Sequence, residues 1–499
     1  MRLFAFLLGR MLLLFSVMSA AVIVMAVLLE KPGSRLFLAP LFFSMVLSYL
    51  LSRWGGTDSR RGMEVRGGAL YVVLSWLVLG MLGSLPWLMS GNPLNVAFFR
   101  SMMAVTTTMA LPAGGVFALW QAVLAWMGGL HFLMLLVTAI PQVMGRSGLA
   151  LSARQMVFFS PRYAKMRTGM LAVGSMYAAL TAAGAVIYFF SGLTPMQSVS
   201  WAMQTISTTG GTMPFERAMD VSSVAGSGHA GIWLGRGLLE VNESALEIAT
   251  VVILLLGGGN FLLYWKSITM KSFGMLIHDT ELRAFLSMIV GVGLLISLFL
   301  LGSGTVPDLA EAFRDGLFCT VSFMTTSGVV PPDASGWPDF VRLLCMMLAF
   351  AGGCIGSTTG GLKTMRVVVL WKSVVQEMHM TTRPRLVPVV RVDGMLVPGK
   401  VVRMVLTLFF LYFAFFLLGA VALALFALEP SEALGLSAAC LTSTGGIAEL
   451  FGVGAGAMLA MPAAGQMVAV LLMVAGRAEI MSLLIVVGAV AERAKKKEW

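Results

Sequence analysis

Apolar stretches long enough to cross a bilayer alternate along this chain with short polar breaks. Runs of about 20 apolar residues, the length that spans the hydrocarbon layer, lie near 11–29, 36–52, 69–89, 116–140, 170–191, 246–265, 284–302, 339–371, 404–428 and 465–490. The pattern predicts an all-α polytopic membrane protein with ten spans. The first run imitates a secretory leader, with Arg2 and Arg10 before it and Ser19-Ala20-Ala21 within it. It continues to Leu29, past the usual length of a leader's apolar core, and is expected to be a retained span.

The polar breaks repeat. Thr106-Thr107-Thr108-Met109, Ser207-Thr208-Thr209-Gly210, Thr325-Thr326-Ser327-Gly328 and Thr442-Ser443-Thr444-Gly445 each sit between two long apolar runs, with their fourth residues 101, 118 and 117 positions apart. Alone, a Thr/Ser/Gly tetrad reads as a polar turn. Four at one repeat position indicate four copies of one unit. Carbonyl and hydroxyl oxygens in a row can replace the hydration shell of an alkali ion, and Gly permits the positive φ that turns carbonyls toward an axis. The expectation is four pseudo-symmetric helix, pore-helix, helix repeats around one ion path, preceded by a two-helix hairpin. The divisions are 1–67 for the hairpin and its loop, 68–168, 169–283, 284–403, and 404–499 for the fourth repeat and tail. Short helices before the tetrads, at 93–105, 195–206, 307–323 and 430–440, begin at or near Pro93, Pro195, Pro307 and Pro430, where a missing N–H does no harm. Their C-terminal ends would present negative dipole ends to a cation.

The eighth run is too long. Between Trp337 and Lys372 about 15 residues exceed the roughly 20 that a crossing needs. The surplus is the glycine-rich stretch from Gly352 to Lys363. Irregular backbone at membrane depth is tolerated only where protein or a water-filled cavity satisfies it, so this stretch is expected to line the pathway as a gate. Gly356 to Thr364 also resembles a phosphate-binding loop. Leu362 breaks that match, and a membrane helix stands where a strand is needed. In the last run Arg477 and Glu479 place charges in apolar surroundings, where they usually face a cavity; the plain alternative is an arginine snorkelling from a helix end. Asn260, after three glycines, reads as a helix-packing hydrogen bond.

Composition agrees and narrows the choice. The 499 residues are 58% hydrophobic and 11% charged, with a mean hydropathy of +0.90, well above a soluble domain. The net charge of +11 follows loops and so reads as topology, with no nucleic-acid partner. With the N-terminus inside, the loops 53–67, 144–168, 266–283, 372–403 and the tail 491–499 carry 4, 5, 3, 6 and 4 Lys or Arg, against seven on the outer side. Both termini are then cytoplasmic and every tetrad faces outward. Cys319, Cys345, Cys354 and Cys440 form no C-x-x-C pair and read as packing residues, as do the 38 methionines. None of the four histidines has the company a catalytic pair requires; His131, inside a span, is a packing or hydrogen-bonding residue. An enzyme is not expected, nor a bound cofactor.

These residues together resemble the Trk/Ktr/HKT superfamily of potassium transporters. The most specific piece is 352–366, GGCIGSTTGGLKTMR, similar to the family's intramembrane gate loop; 476–480, GRAEI, and 61–76, RGMEVRGGALYVVLSW, also match family motifs. The resemblance implies potassium uptake across a bacterial inner membrane. It makes Thr107, Thr108, Met109, Thr208, Thr209, Gly210, Thr326, Ser327, Gly328, Ser443, Thr444 and Gly445 the ion filter, with potassium in transit there. It makes Gly352, Gly353, Gly356, Ser357, Thr358, Thr359, Gly360, Gly361 and Lys363, with Arg477, the gate. It also implies a homodimer carrying a ring of cytoplasmic nucleotide-binding regulatory subunits of the TrkA or KtrA kind. The departure is Met109, which stands where the family has a filter glycine. A non-Gly residue at positive φ costs roughly 1 to 2 kcal/mol, and an ordinary φ turns one carbonyl from the axis. Sodium or weakly selective cation uptake is therefore the alternative, with reduced preference for potassium, and a non-conducting regulatory or assembly subunit is the alternative from another class.

Overall fold

A computed structural model describes residues 2–28, 33–55, 65–140, 163–211, 242–330, 336–382, 390–426 and 428–497. The architecture is helical, and its one small sheet among the described residues is a two-stranded hairpin at Arg391–Val392 and Met395–Leu396. Among the described residues seven helices are long and apolar enough to cross a membrane: Arg2–Leu28, Ser34–Trp54, Val65–Met89, Val116–Thr138, Arg167–Phe190, Thr280–Gly302 and Gly399–Ala424. They are lipid-like on the outside, where Phe42, Phe43, Leu298, Phe410, Leu418 and Val421 are exposed, because a bilayer rather than water is the expected solvent there.

Three of the ten predicted spans are not continuous helices. The run at 246–265 is Glu243–Gly258 followed by Phe261–Thr269, bent by 88°. Asn260 causes the restart: its side-chain Oδ1 accepts from the amides of Leu262 and Leu263 at 3.1 and 3.2 Å. Asn260 is thus an N-cap and not the helix-to-helix bond expected of it. The run at 465–490 is Ala463–Arg477 and Met481–Glu492, bent by 112°, with Glu479 and Ile480 at positive φ between them. The run at 339–371 is Asp339–Ala351 and Thr364–Thr382, separated by the glycine-rich stretch at 352–363, as its surplus length predicted. In each case apolar periodicity continued through a break that polar or glycine residues made.

Four shorter helices, Leu94–Val105, Pro195–Ile206, Leu309–Met324 and Pro430–Thr442, run up to the four tetrads. Their starts are fixed by Pro93 and by side-chain caps: Thr194 with Gln197, Asp308 on the Glu311 amide, and Glu429 with Glu432. The N-terminal hairpin, Arg2–Leu28 against Leu38–Trp54, is tied to the rest by Phe15 and Phe37, whose rings lie 5.7 and 5.3 Å from that of Trp120. The sequence-predicted loops 53–67 and 144–168 fall mostly outside the described residues.

Candidate functional site

All four short helices end in the same way. The second residue of each tetrad, Thr107, Thr208, Thr326 or Ser443, has φ between 53° and 57°. The third donates its amide to the carbonyl five residues back: Thr108 to Met103, Thr209 to Gln204, Ser327 to Ser322 and Thr444 to Ala439, each at 2.9 Å. This is a helix end closed by a left-handed residue, the place where Gly is usual because a Cβ is penalised there. Here hydroxyl residues occupy it four times. Each such position costs of order 1 to 3 kcal/mol and persists only where its surroundings impose it.

The positive φ therefore lies two residues before the position expected. Gly328 does have φ 70°, but Met109, Gly210 and Gly445 do not have positive φ. What the fourth position requires is space, since the segments pack against one another. A methyl group on Gly445 would meet the Met109 Cβ at 2.5 Å and the Thr108 carbonyl at 2.8 Å, and one on Gly328 would meet the Gly446 amide at 2.8 Å. Met109 itself is 1% exposed and packs in the main apolar core.

Hydrogen bonds and close approaches join the four segments in a closed circuit. Gly445 donates its amide to the Thr108 carbonyl at 2.8 Å and Ala110 donates to that of Gly210 at 2.7 Å. Ser327 Oγ donates to the Thr209 carbonyl at 3.4 Å, and Gly446 abuts Gly328. The Thr108 and Gly210 carbonyls are thus engaged by neighbouring amides. By contrast, among the described residues no hydrogen bond ends on the carbonyl of Thr107, Thr208, Thr326 or Ser443. The second positions hold four equivalent, buried, uncommitted oxygens.

Their hydroxyls are committed on the other side. Thr326 Oγ1 accepts from the Gly360 amide at 2.8 Å. Thr208 Oγ1 lies 3.3 Å from Thr358 Oγ1, and Thr107 Oγ1 accepts from Arg477 Nη2. Ser443 Oγ is buried and has no hydrogen-bond partner among the described residues. Three of the four left-handed residues are in this way clamped to one layer made of the glycine-rich loop and Arg477. The loop also reaches the fourth segment, where Gly360 lies against the Thr442 carbonyl.

That layer is buried from Gly352 through Gly360, and Gly361 is half-buried. Its irregular backbone is satisfied from the bent span: Cys354 donates its amide to the Gly258 carbonyl at 2.9 Å, and Thr358 Oγ1 donates to the carbonyls of Gly257 and Ile206 at 3.2 and 3.1 Å. Ser357 Oγ and Thr359 Oγ1 lie 2.7 Å apart, and Gly353 donates its amide to Thr359 Oγ1. Lys363 folds back on its own loop, donating to the Thr359 carbonyl and Oγ1 at 2.5 and 3.0 Å. Arg477 donates to the carbonyls of Thr358 and Thr106, both at 2.7 Å. The Phe132 ring faces both cations, 4.9 Å from Lys363 Nζ and 5.0 Å from the Arg477 guanidinium, a favourable desolvated cation–π geometry. Among the described residues no carboxylate is within ion-pair distance of either. Arg477 thus points into the interior and does not snorkel.

Sequence reasoning brought the tetrads, the loop and Arg477 to one place and singled out Glu479, but missed the partners of the buried charges and of the loop. Glu479 pairs with Arg366 at 2.7 Å, both almost fully buried. Glu281 accepts from the Ile355 amide at 2.5 Å. The Gly257 and Gly258 carbonyls are exposed to the loop by the break before Asn260. The signal for the last was legible, since three glycines and an Asn interrupt an apolar run. His131 bonds Ser75 Oγ at 2.8 Å and packs edge-on to Trp76, the packing role expected of it. The four cysteines are free and buried.

Comparison with known proteins agrees with the helical membrane fold. A family model described as TrkH, cation transport protein, matches residues 37–497. The Trk system potassium uptake protein TrkH of Vibrio parahaemolyticus is 30% identical over 454 residues, covering 88% of each chain. That of Escherichia coli K12 is 25% identical over 492 residues, covering 96% of each. The crystal structure of the potassium transporter TrkH from Vibrio parahaemolyticus superposes with a TM-score of 0.79 at 28% identity, covering 97% of this chain and 98% of that one.

Proposed function

This chain belongs to the TrkH family of cation transport proteins, a multi-pass membrane transporter and not an enzyme, and from that premise we propose that it takes up potassium across the bacterial inner membrane through the four tetrads. The observation that carries the proposal is the set of four equivalent uncommitted carbonyls at Thr107, Thr208, Thr326 and Ser443, in segments closed into a circuit. Rings of carbonyls substitute for water around a dehydrated alkali ion. The ends of four helices, with their partial negative charge, converge on the same place. The relatives' names, Trk system potassium uptake proteins, support potassium as the ion.

The buried layer below acts as the gate on this reading. It is backbone without helix at membrane depth, it touches every filter segment, and it places Lys363 and Arg477 against the path, where their charge opposes a passing cation. The Lys/Arg bias supports cytoplasmic termini. A homodimer with a cytoplasmic nucleotide-binding subunit follows from the family resemblance, and the basic inward loops suit such docking.

Growth of a potassium-uptake-deficient bacterium at limiting potassium tests the function. Expression of this chain, with its regulatory subunit supplied, is expected to restore growth. Membrane insertion with no rescue and no flux in proteoliposomes would favour the non-conducting subunit instead.

A further inference from the structure

The loop is fastened on its far side too, and to a feature the transport reading does not use. Residues 390–397 form a tight β-hairpin with register Arg391↔Leu396 and Val392↔Met395, turned by Asp393 and Gly394, both at positive φ. An Asp-Gly pair is well suited to a two-residue turn of this kind. One face of the hairpin is buried: Val392 and Val397 join Met365, Val369, Val401 and Val405 in an apolar cluster separate from the main core. The remaining member of that cluster is Ile355, from the glycine-rich loop. The other face, with Arg391, Gly394 and Leu396, is exposed.

A second link runs in parallel. Asp393 Oδ1, in the turn, accepts from both the amide and the hydroxyl of Thr280, at 3.2 and 2.6 Å. The next residue on that helix is Glu281, whose carboxylate holds the Ile355 amide. Ile355 is thus gripped by its side chain through the valine cluster and by its backbone through Glu281. Both grips lead to the same hairpin.

We infer that the 390–397 hairpin is a lever for the loop, its position against the start of the Thr280–Gly302 helix setting the position of Ile355 and with it the layer beneath the filter. The inference rests on the gate reading given above and adds where force enters. A charge-assisted pair of bonds at Asp393 and a small, dry cluster make two discrete attachments, and packed contacts of this kind switch between arrangements and do not stretch. A protein that grips the exposed hairpin face displaces the loop without touching the membrane-embedded part.

The test uses the full chain reconstituted alone in vesicles, with potassium flux and amide exchange of the 353–360 segment as two readouts. Asp393→Gly keeps a residue that tolerates the left-handed turn and removes both bonds to Thr280. Ile355→Ala cuts the cluster. Each is expected to raise basal flux about threefold to tenfold, with the double variant above either single because the two attachments act in parallel, and Asp393→Gly is expected to speed exchange at Ile355. Thr280→Val, which loses the hydroxyl donor, serves if Asp393→Gly does not insert. A chain lacking Ser357, Thr358 and Thr359 separates the two ideas. If the shortened loop raises flux while Asp393→Gly changes neither flux nor exchange, the lever is wrong and the gate stands. If the shortened loop leaves flux unchanged, the gate reading fails; exchange at Ile355 then decides the lever, faster supporting it and unchanged overturning it.

Discussion

The tetrad circuit and the layer that clamps it are built on opposite plans. The circuit is made four times from neutral residues with one backbone geometry, a left-handed hydroxyl residue closing each helix. The layer is made once, from one glycine-rich loop and one arginine, and it carries the charges of Lys363 and Arg477, with the buried Arg366–Glu479 pair beside it. A symmetric ring suits equal ligands around one ion. An asymmetric plug suits control, because a single segment can move while the ring stays. The two plans meet at the hydroxyls of Thr107, Thr208 and Thr326, whose side chains serve the layer and whose carbonyls face elsewhere.

The largest loss is expected from disturbing the ring where backbone meets backbone. A Cβ on Gly446 falls on the Gly328 carbonyl and one on Gly210 on that of Ser327, with no flexible side chain to give way. Gly446→Ala and Gly210→Ala should each lower transport about a hundredfold or more, since both the ring geometry and its packing are lost. Gly274→Ala, in open space, is the control. Normal rescue of growth by Gly446→Ala would show that the circuit is not rigid.

Next comes the pair that anchors the layer. Arg366→Ala leaves Glu479 buried with its partner gone, a change that costs about 3 to 5 kcal/mol. Folded protein in the membrane should fall accordingly, as read by thermal unfolding in detergent. Replacing both by Met should recover most of that loss, because the pair is costly to desolvate as well as to break. No recovery in the double variant would mean that Arg366 serves the layer in some further way.

Control of flux should respond more gently. Arg477→Ala removes the donor to Thr358, Thr106 and Thr107 together and, on the proposed gate reading, a positive charge beside the path. Flux should rise about tenfold, as expected when a two-state barrier loses one or two charge-assisted bonds. A fall in flux with normal insertion would make Arg477 part of the ring's support and not of its control.

The same comparison explains what was legible in the sequence. Repetition exposed the tetrads, and surplus length exposed the loop. Charge in an apolar run exposed Arg477. Each is a local departure from a pattern. The positive φ was misplaced because glycine is the residue that tolerates it most easily, and nothing local tells that helix closure would impose it on Thr107, Thr208, Thr326 and Ser443 instead. Partners such as Glu281 for Ile355 or Asp393 for Thr280 are 74 and 113 residues apart and carry no shared pattern to read. The two bent spans escaped because apolar periodicity reports burial and not continuity of the helix.

Met109 is the position where the plans of ring and family disagree, and the smallest effect on transport is expected there. Its φ is ordinary, and so are those of Gly210 and Gly445, so the argument for one carbonyl turned away no longer singles it out. The uncommitted oxygens lie at the second positions, where the first segment is like the other three. Met109 instead fills space against Gly445, which has no Cβ to spare. Met109→Gly should therefore leave the ratio of potassium to sodium flux unchanged and lower stability by about 2 to 4 kcal/mol, the usual range for emptying a buried site of this size. Parallel measurement of both fluxes and of thermal unfolding decides the matter. A variant that discriminates potassium from sodium more sharply than its parent would restore the fourth position as part of the ring, and with it the weakly selective reading of this chain.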